Sequence, residues 1–471
     1  MISIIVKKEI TDLMRDKRFW IIATVLSLLS GLACLTAWQS NARTNAERMA
    51  AQQMSRDGWL NQPPKNPHTA AHFGNFAFRL KTSLSMFDNG LDSYTGTSVF
   101  LEPHKQDDFK FSQAEDATSI IRFGELTPAF VLQCIPPLLI VFVCFNAVSV
   151  EKENSTIKLL LSQGTSVPQL VAGKIVGYWL VVSLLIMPVF VAVFLMMPPP
   201  VHATRGDTGV RFVLLLVNYL LYAGIVITAC VVVSAFSQTS RSALIKLLGL
   251  WMLACVVVPK VTSNLGSTIY QTPSQYAYAK LVKHDEANGL DGHDPADARR
   301  AVLLRQLLTR YQVDTVTALP VNFDAIAMVE SERYTTQIYR KRLGEVRSIF
   351  NRQNRISQFA TFLNPFQTVQ YTSMALCGTD YAQFTYFQDQ AERYRLYFVN
   401  TMNEFMATHT KSGDWKTKFG QEVYRHIRPF NYREPAAGWA IGQQGPAFIA
   451  LMSWLLVCFV LVKATKRVRI L

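Results

Sequence analysis

The sequence predicts an α-helical polytopic membrane protein with six transmembrane helices plus a mostly helical extracytoplasmic domain built from two insertions. Of the 471 residues, 50% are hydrophobic and only 17% are charged, whereas about a quarter of a soluble domain is charged. Five runs without charged side chains are long enough to span a bilayer, which takes about 20 residues. Basic residues concentrate in the short loops of one predicted membrane face.

The uncharged runs define the spans. The five long runs are 19–42, 126–150, 175–204, 212–240 and 435–462. A sixth run, 247–259, has 13 residues between Lys246 and Lys260, and it reaches spanning length when the Lys246 side chain extends to the interface. The predicted transmembrane helices are 19–40, 126–150, 175–197, 212–236, 242–262 and 438–462.

The charge distribution predicts the topology. One face, formed by 1–18, 151–174, 241–246 and 463–471, carries 14 Lys and Arg against 5 Asp and Glu. The other face carries 33 against 28. Because basic residues in short loops mark the cytoplasmic side, both termini are expected in the cytoplasm, the second as a basic tail, 463–471. The net charge of +14 follows from this arrangement, and no nucleic-acid partner is expected.

Residues 1–18 predict an amphipathic helix on the cytoplasmic membrane interface, in contact with lipid. Its apolar positions are Val6, Ile10, Leu13 and Met14. Its polar side includes Lys7, Lys8 and Arg15. The alternative is an anchored N-terminus surrounded by solvent.

Two insertions form the outer domain. Segment 41–125 is expected to be mixed α/β with little long helix, because it holds turn-rich stretches (NQPPKNPH, FDNGLDSYTG) and the β-like run TSVFLEP. Segment 263–435 predicts long helices at 295–311, about 321–360 and about 378–408. Asp294 and Pro295 suit the start of the first of these helices, and Thr379 or Asp380 suits the N-cap of the third. The long helices either pack on one another or offer a surface to a partner.

Cysteine and histidine placement restricts the chemistry of the outer face. Six of the seven cysteines lie in apolar runs and only Cys377 lies in a polar segment, so no disulfide framework is expected outside the membrane. All eight histidines fall on the outer side: His68, His72, His104, His202, His284, His293, His409 and His426. The four-residue spacing of His68 and His72 and the His/acid cluster at 284–294 leave zinc or copper binding as an alternative. Because Pro67 argues against a shared helical face, no metal ligands are assigned.

Several functional classes are disfavoured by what the sequence lacks. The apolar interiors of the spans contain no Asp, Glu, Lys or Arg, which argues against an ion-driven pump or channel. Gln133, Asn146 and Asn218 are expected to form hydrogen bonds between helices. The patterns G-x-x-x-x-G-K-[ST], H-E-x-x-H and G-x-S-x-G do not occur, so ATP hydrolysis by this chain is not expected and no catalytic residue is assigned.

The most informative stretch is the cytoplasmic loop 151–174, EKENSTIKLLLSQGTSVPQLVAGK. Its charged start, Glu151 to Glu153, closes the second span, and a short helix at about 154–162 has an apolar face of Ile157, Leu160 and Leu161. Gly164 ends this helix, Ser166 caps the next one, and Pro168 suits its first turn. A short helix seated in a partner's groove transmits the partner's motion to both adjoining spans. The alternative is an ordinary interfacial loop.

The six spans, the N-terminal helix and the loop pattern E-x-E-x-x-T-x-x-x-L-L-S…G-K resemble ABC transporter permeases of the ABC-2 type. The stretches NPHTAAHFGNFAF, RFGELTPAFVLQCIPPLLIVF and MALCGTDYAQF are similar to a bacterial subgroup with a large outer domain of unknown function. The resemblance covers 1–38, 120–262 and the last span. Two departures from the family pattern are Ser155, where glycine is usual, and Gly164, where proline is common.

The resemblance implies that 151–163 is the coupling helix on which a separate ABC ATPase subunit docks, with ATP and Mg²⁺ bound in that partner and no cofactor in this chain. The residues assigned to ATPase coupling are Glu151, Lys152, Glu153, Thr156, Ile157, Leu160 and Leu161. A second permease, identical or related, is expected to pair with this one.

The expected function is that of a permease subunit of the bacterial inner membrane that exports or extracts a substrate. Its large domain is then periplasmic, where a further partner is an open alternative. Two other interpretations are retained. One is an ATP-driven mechanotransmission or assembly protein that moves its periplasmic domain without transport, and the other is a membrane receptor or enzyme without an ATPase.

Overall fold

A computed structural model of the protein describes residues 1–106, 126–201, 203–290 and 296–468. Within these ranges, six helices are long and apolar enough to cross a membrane, which confirms the predicted helical membrane fold. They are Phe19–Asn61, Pro128–Glu153, Val167–Met196, Arg205–Phe236, Ser240–Ile269 and Gly445–Arg467.

The N-terminal helix α1 (Ile2–Arg15) is followed by the 45-residue helix α2 (Lys17–Asn61). The helix does not end with the apolar run, so the prediction of little long helix after residue 40 is wrong for residues 41–61. Residues 41–57 hold no Gly or Pro and are rich in Ala, Arg, Met and Gln. These strong helix formers allow α2 to continue beyond the apolar run.

The rest of the first insertion is mixed, as predicted. A short helix, α3 (Pro67–Ala71), precedes three antiparallel strands in the order β1-β2-β3. The strands are β1 (Asn75–Phe78), β2 (Ser98–Glu102) and β3 (Lys105–Gln106). The β-like run TSVFLEP forms β2, and Phe100 of β2 lies opposite Phe76 of β1.

The middle of the chain holds helices α4 to α10. They are α4 (Pro128–Cys144), α5 (Ser149–Glu153), α6 (Thr156–Ser162), α7 (Val167–Met196), α8 (Arg205–Phe236), α9 (Ser240–Met252) and α10 (Val258–Ile269). A π-helical turn, Leu253–Val257, joins α9 to α10. The helix of the fifth span therefore extends beyond the predicted 242–262 at both ends, since it starts at Ser240 after the Thr239 cap and continues to Ile269.

The second insertion and the C-terminal region hold the remaining helices. They are α11 (Gln275–Asn288), α12 (Ala296–Tyr311), α13 (Phe323–Ala360), α14 (Pro365–Cys377), α15 (Tyr381–His409), α16 (Gln421–Tyr424), α17 (Ala437–Gln443) and α18 (Gly445–Ala464). The three predicted long helices agree with α12, α13 and α15, and Asp380 caps α15 by accepting a hydrogen bond from the Gln383 backbone N–H. The predicted cap at Asp294 and Pro295 lies outside the described residues. The predicted last span, 438–462, is divided into α17 and α18 at Gln444.

Helix α14 was not anticipated by the sequence pattern. It packs against α8 and α18, and the Thr372 hydroxyl donates to Asn218 Oδ1 of α8 at 2.9 Å. Cys377 at its end is buried in the same hydrophobic cluster as the spans. Cys377, which the sequence places in a polar segment, is thus packed among apolar side chains, and its backbone oxygen accepts a hydrogen bond from the Thr82 hydroxyl of the first insertion.

Polar side chains of the spans bond between helices. Gln133 Nε2 of α4 donates to the Tyr219 hydroxyl of α8 at 2.8 Å, and Asn218 bonds Thr372 as described above. These contacts confirm the prediction for Gln133 and Asn218. The same prediction for Asn146 stays a prediction.

The two insertions share their hydrophobic cores, as the predicted fold class requires. Trp59 at the end of α2 packs against Phe398 of α15 and Tyr424 of α16. A second cluster joins the small sheet to α15 and to residues 430–432. Because α2 belongs to both the membrane part and this domain, it connects the two without an intervening loop.

Candidate coupling site

The loop between α4 and α7 contains two short helices with defined ends. Ser155, between α5 and α6, has φ +59° and ψ 8°, a left-handed conformation that costs a residue with a Cβ about 1–2 kcal/mol. Glycine adopts this conformation freely, which accounts for the glycine usual here in the permeases that the sequence resembles. Gly164, with φ +80°, follows α6, and Ser166 forms a capping box with Gln169 at the start of α7. The predicted break, cap and first-turn proline are confirmed.

A buried ion cluster fastens this loop to α1 and α7. The Lys174 ammonium is 2.7 Å from Glu9 Oε1 of α1 and 2.9 Å from Glu151 Oε1 of α5. All three residues are buried, with Lys174 only 3% exposed. Charges removed from water need a close partner of opposite sign. Glu151, predicted to act in ATPase coupling, is thus an internal ion-pair partner.

Lys152 and Glu153 bind the same loop to α8 and α9. The Lys152 ammonium donates to the backbone oxygens of Ala235 and Ser237, at and just beyond the end of α8. The Glu153 carboxylate accepts from the Ser240 backbone N–H at 2.8 Å and from its hydroxyl at 2.7 Å. A lysine at a helix C-terminus and a carboxylate at a helix N-terminus both complement the helix dipole. These residues therefore position the loop.

The apolar side chains of α6 divide between two faces. Ile157 is 1% exposed, and Leu160 and Leu161 pack against the hydrophobic cluster of the spans. Leu159 is 63% exposed. The sequence assignment omitted Leu159, although the i, i+3, i+4 spacing of the three inward residues places it outside their face.

The outward face of α6 is small and mixed. Its members are Lys158, Leu159 and Ser162, all exposed. Thr156 is also exposed, and its hydroxyl donates to the Glu151 backbone oxygen at 3.3 Å. This face is the part of α6 that remains free to contact another molecule.

Helix α1 docks along α7 through its predicted apolar side. Leu13 is buried, and Val6, Ile10 and Met14 are partly buried. The predicted polar residues Lys7, Lys8 and Arg15 are exposed. Glu9 lies on the buried side because it pairs with Lys174.

Two glycines of α7 permit the close approach of α1. A Cβ at Gly173 would lie 2.8 Å from Ile5 Cγ2, and a Cβ at Gly177 would lie 3.0 Å from Glu9 Cβ. The first distance is too short for any side chain. The glycines therefore determine how closely α1 lies on α7, and hence whether Glu9 reaches Lys174.

We expect Gly173→Val to displace α1 and to destabilise the protein by about 1–3 kcal/mol, the usual cost of overpacking a close contact. Thermal unfolding in detergent and the rate of limited proteolysis within α1 measure the effect. Gly249→Val in α9 is the control, because a Cβ there has no neighbour within 4 Å. Equal proteolysis of α1 in both variants would contradict the prediction.

The described histidines separate into one cluster and several isolated side chains. His68, His72 and His104 each offer a ring nitrogen within 4.8 Å of the other two. His284 pairs with Asp285 at 3.6 Å, and His409 stacks on Phe405. His202, His293 and the acids of 291–294 lie outside the described residues.

The argument against a shared His68–His72 face is wrong. Asn66 caps α3, and Pro67 lies in its first turn. Proline is favoured there because its missing N–H would be unpaired in any case. The proline therefore starts the helix that brings the two histidines together.

Two family models match the chain. The ABC-2 family transporter protein matches residues 93–269, which include the whole loop 151–174. A domain of unknown function, DUF3526, matches residues 277–433, which include α12 to α16. No curated protein matches the chain.

Proposed function

We propose that this chain is an ABC-2-type permease on whose loop 151–163 a separate ATP-binding subunit docks and drives it. The match of residues 93–269 to the ABC-2 family transporter model, beside a domain of unknown function at 277–433, supports this proposal. Proteins of the ABC-2 family are membrane components of transporters, and the match to this family implies that ABC ATPase subunits are partners. The chain itself lacks a phosphate-binding P-loop. ATP and Mg²⁺ therefore bind in the partner.

The observation that carries this proposal is the way α6 is held. One side of α6 and the flanking charges are bonded to the membrane helices, while the outward face of α6 remains free. Leu159 is the apolar side chain of that face, and a single buried apolar anchor contributes much of the energy of a small interface. We assign docking to the outward face and not to the inward residues Ile157, Leu160 and Leu161.

The fixed side of the loop supplies the mechanical link. Lys174 joins α5 to α1 and α7, Lys152 joins the loop to the end of α8, and Glu153 joins it to the start of α9. A displacement of α6 by a moving ATPase is therefore passed to four membrane-associated elements. Coupling between distant sites travels through packed and hydrogen-bonded elements of this kind.

The proposed setting is the bacterial inner membrane, with both termini in the cytoplasm and the large domain in the periplasm. In this setting the permease exports a substrate or extracts it from the membrane. Two candidate spans have few buried residues in their apolar windows, 11% for Ser240–Ile269 and 17% for Gly445–Arg467. These helices offer surface to lipid and to a second permease, identical or related.

The test is Leu159→Asp in the full chain, reconstituted with the ATP-binding subunit that copurifies with it. Burying a carboxylate in place of an apolar anchor costs about 2 kcal/mol or more, roughly a 30-fold loss of docking affinity. We expect a matching loss of permease-stimulated ATPase activity at limiting concentrations. Substitutions of Glu151 or Leu160 are less informative, because these side chains also hold the loop in place.

The matched control is Leu281→Asp in α11, a 42% exposed leucine of the outer domain. This variant should retain full stimulation of the ATPase. Unchanged stimulation by the Leu159→Asp protein would contradict the docking assignment. Purification of an intact complex without any ATP-binding subunit would contradict the proposed function as a whole.

A second candidate function is mechanotransmission, in which ATP moves the outer domain and nothing is carried across. The observation that favours it is the continuity of α2, one helix from the membrane part to the Trp59 cluster. A continuous helix passes a tilt in the membrane directly to the outer domain. ATP-dependent transfer of a cargo across the membrane of proteoliposomes would support the permease function. ATP-driven motion of the outer domain without any transfer of cargo would support the second candidate.

A further inference from the structure

Three histidines of the outer domain meet although they come from separate elements. His68 and His72 lie one turn apart at α3, whose start is set by Asn66 and Pro67. His104 comes from the two-residue turn between β2 and β3, where Glu102 lies opposite Lys105.

His104 is held in an uncommon backbone conformation. Its φ is +71°, as required at the second central position of a type II turn, where glycine or asparagine is usual. Proline, which here precedes His104, is favoured at the first central position. In this turn the His104 ring lies beside that of His68, with 3.4 Å between their Nε2 atoms.

The spacing of the ring nitrogens matches the coordination shell of a small cation. His68 Nε2 is 3.2 Å from His72 Nε2 and 3.4 Å from His104 Nε2. A tetrahedral zinc ion bound at about 2.0–2.1 Å separates its nitrogen ligands by about 3.3–3.4 Å. His68 Nε2 thus stands at the separation of two ligands to one ion from each of the other two Nε2 atoms, and the ligand atoms of all three histidines lie within 4.8 Å of one another.

Outer partners orient the rings for ligation. His104 Nδ1 donates to Glu332 Oε1 at 3.0 Å, and in the neutral ring this leaves Nε2 as the acceptor. His68 Nδ1 bonds Asn403 Oδ1 at 2.9 Å, which leaves its Nε2 as an acceptor as well. Two acceptor nitrogens 3.4 Å apart cannot form a hydrogen bond with each other, and a cation between them satisfies both. Carboxylate and amide partners on the second nitrogen are typical of metal-bound histidine.

The carboxylate that orients the His104 ring is itself held by an ion pair. Arg395 pairs with Glu332 at 2.9 Å and fixes the carboxylate that orients His104.

We propose that His68, His72 and His104 bind one late first-row transition-metal cation, Zn²⁺ or Cu²⁺, through their Nε2 atoms. Three imidazole ligands without a thiolate suit both ions. Because His72 and His104 are exposed, a fourth coordination position faces solvent, as in sites that exchange a ligand rather than in closed structural sites. The bound ion joins α3 to the β2–β3 turn and, through Glu332 and Asn403, to α13 and α15. This site is independent of ATPase docking.

The experiment uses the full-length protein in detergent, purified through an affinity tag without histidines and stripped with a chelator. ZnCl₂ or CuSO₄ is added separately, and retained metal is counted by mass spectrometry after gel filtration. Affinity is measured by competition with a chromophoric chelator. We expect about one retained ion per chain with Zn²⁺, with Cu²⁺ or with both, and nitrogen hyperfine splitting in the spectrum of bound Cu²⁺.

His72→Ala and His104→Ala should each lower the metal affinity. The loss should exceed the factor of about 10–100 that is typical when a residue bonded to a metal ligand is removed. His426→Ala, an exposed histidine of the same domain, is the control and should bind as wild type. The more conservative His72→Gln serves if an alanine variant unfolds, as judged by thermal unfolding without metal. Absence of stoichiometric binding of both ions, or affinities unchanged by the ligand substitutions, overturns the proposal.

Discussion

Replacing Lys174 with methionine should lower the free energy of unfolding by about 3–5 kcal/mol, the cost of breaking a buried ion pair by removal of one partner. The Lys174 ammonium is the cation shared by Glu9 and Glu151. Glu9 keeps the exposed Lys8 at 3.3 Å, but the second carboxylate oxygen of Glu151 is buried and has no hydrogen-bond partner. Thermal unfolding in detergent measures the loss, and limited proteolysis reports whether α1 has detached.

Lys158→Met is the matched control, because Lys158 lies in the same loop and is exposed. Adding Glu9→Gln and Glu151→Gln to Lys174→Met should recover most of the stability, since an uncharged cluster no longer contains unpaired carboxylates. In the Lys174→Met variant, α1 should detach from α7, and the stimulation of the ATPase should fall. A Lys174→Met protein that unfolds at the wild-type temperature would be incompatible with a structural role for this cluster.

The second large effect is expected at Arg395 in α15. Its guanidinium is 1% exposed and bonds Glu332 of α13, Glu392 of its own helix and the Glu102 backbone oxygen of β2. Arg395→Met leaves the fully buried Glu332 carboxylate without its cation, so we expect a loss of about 3–5 kcal/mol. Thermal unfolding of the full chain measures it.

Arg393→Met, two residues earlier on the exposed side of α15, removes the same type of side chain and should change stability little. Adding Glu332→Gln to Arg395→Met should restore part of the loss, because the remaining buried group is then neutral. Equal destabilisation by Arg393→Met and Arg395→Met would exclude the buried pair as the cause. The ring of His104 also depends on Glu332, so the arginine variant should weaken metal binding at the three histidines.

The spans and the long outer helices could be predicted because their signals are local. A run of about 20 residues without charged side chains predicts a transmembrane helix. Asp380 at the start of α15 is an N-cap residue that can be recognised in the sequence. The continuation of α2 to Asn61 was missed because the end of an apolar run was taken as the end of a helix. Helix propensity continues where hydrophobicity stops.

The coupling loop illustrates the limit of sequence reasoning more sharply. Its helix ends, its cap and the inward face of α6 follow from residues a few positions apart. The sequence does not reveal that Glu151 and Glu9 both pair with Lys174, since Glu9 is 165 residues from Lys174 in the chain. The sequence pattern therefore assigned Glu151, Lys152 and Glu153 to contact with the ATPase, although in the structure these side chains bond to other residues of this protein.

The amino-acid sequence alone determined the number of spans, the helical outer domain, the cap of α15 and the resemblance to ABC-2 permeases, because each depends on composition or short-range spacing. Only the tertiary structure decided that α14 packs against the spans, that Glu9 and Glu151 share Lys174, and that His104 joins His68 and His72. These features depend on contacts between distant parts of the chain. Packing and the pairing of buried charges, rather than local propensity, select those contacts.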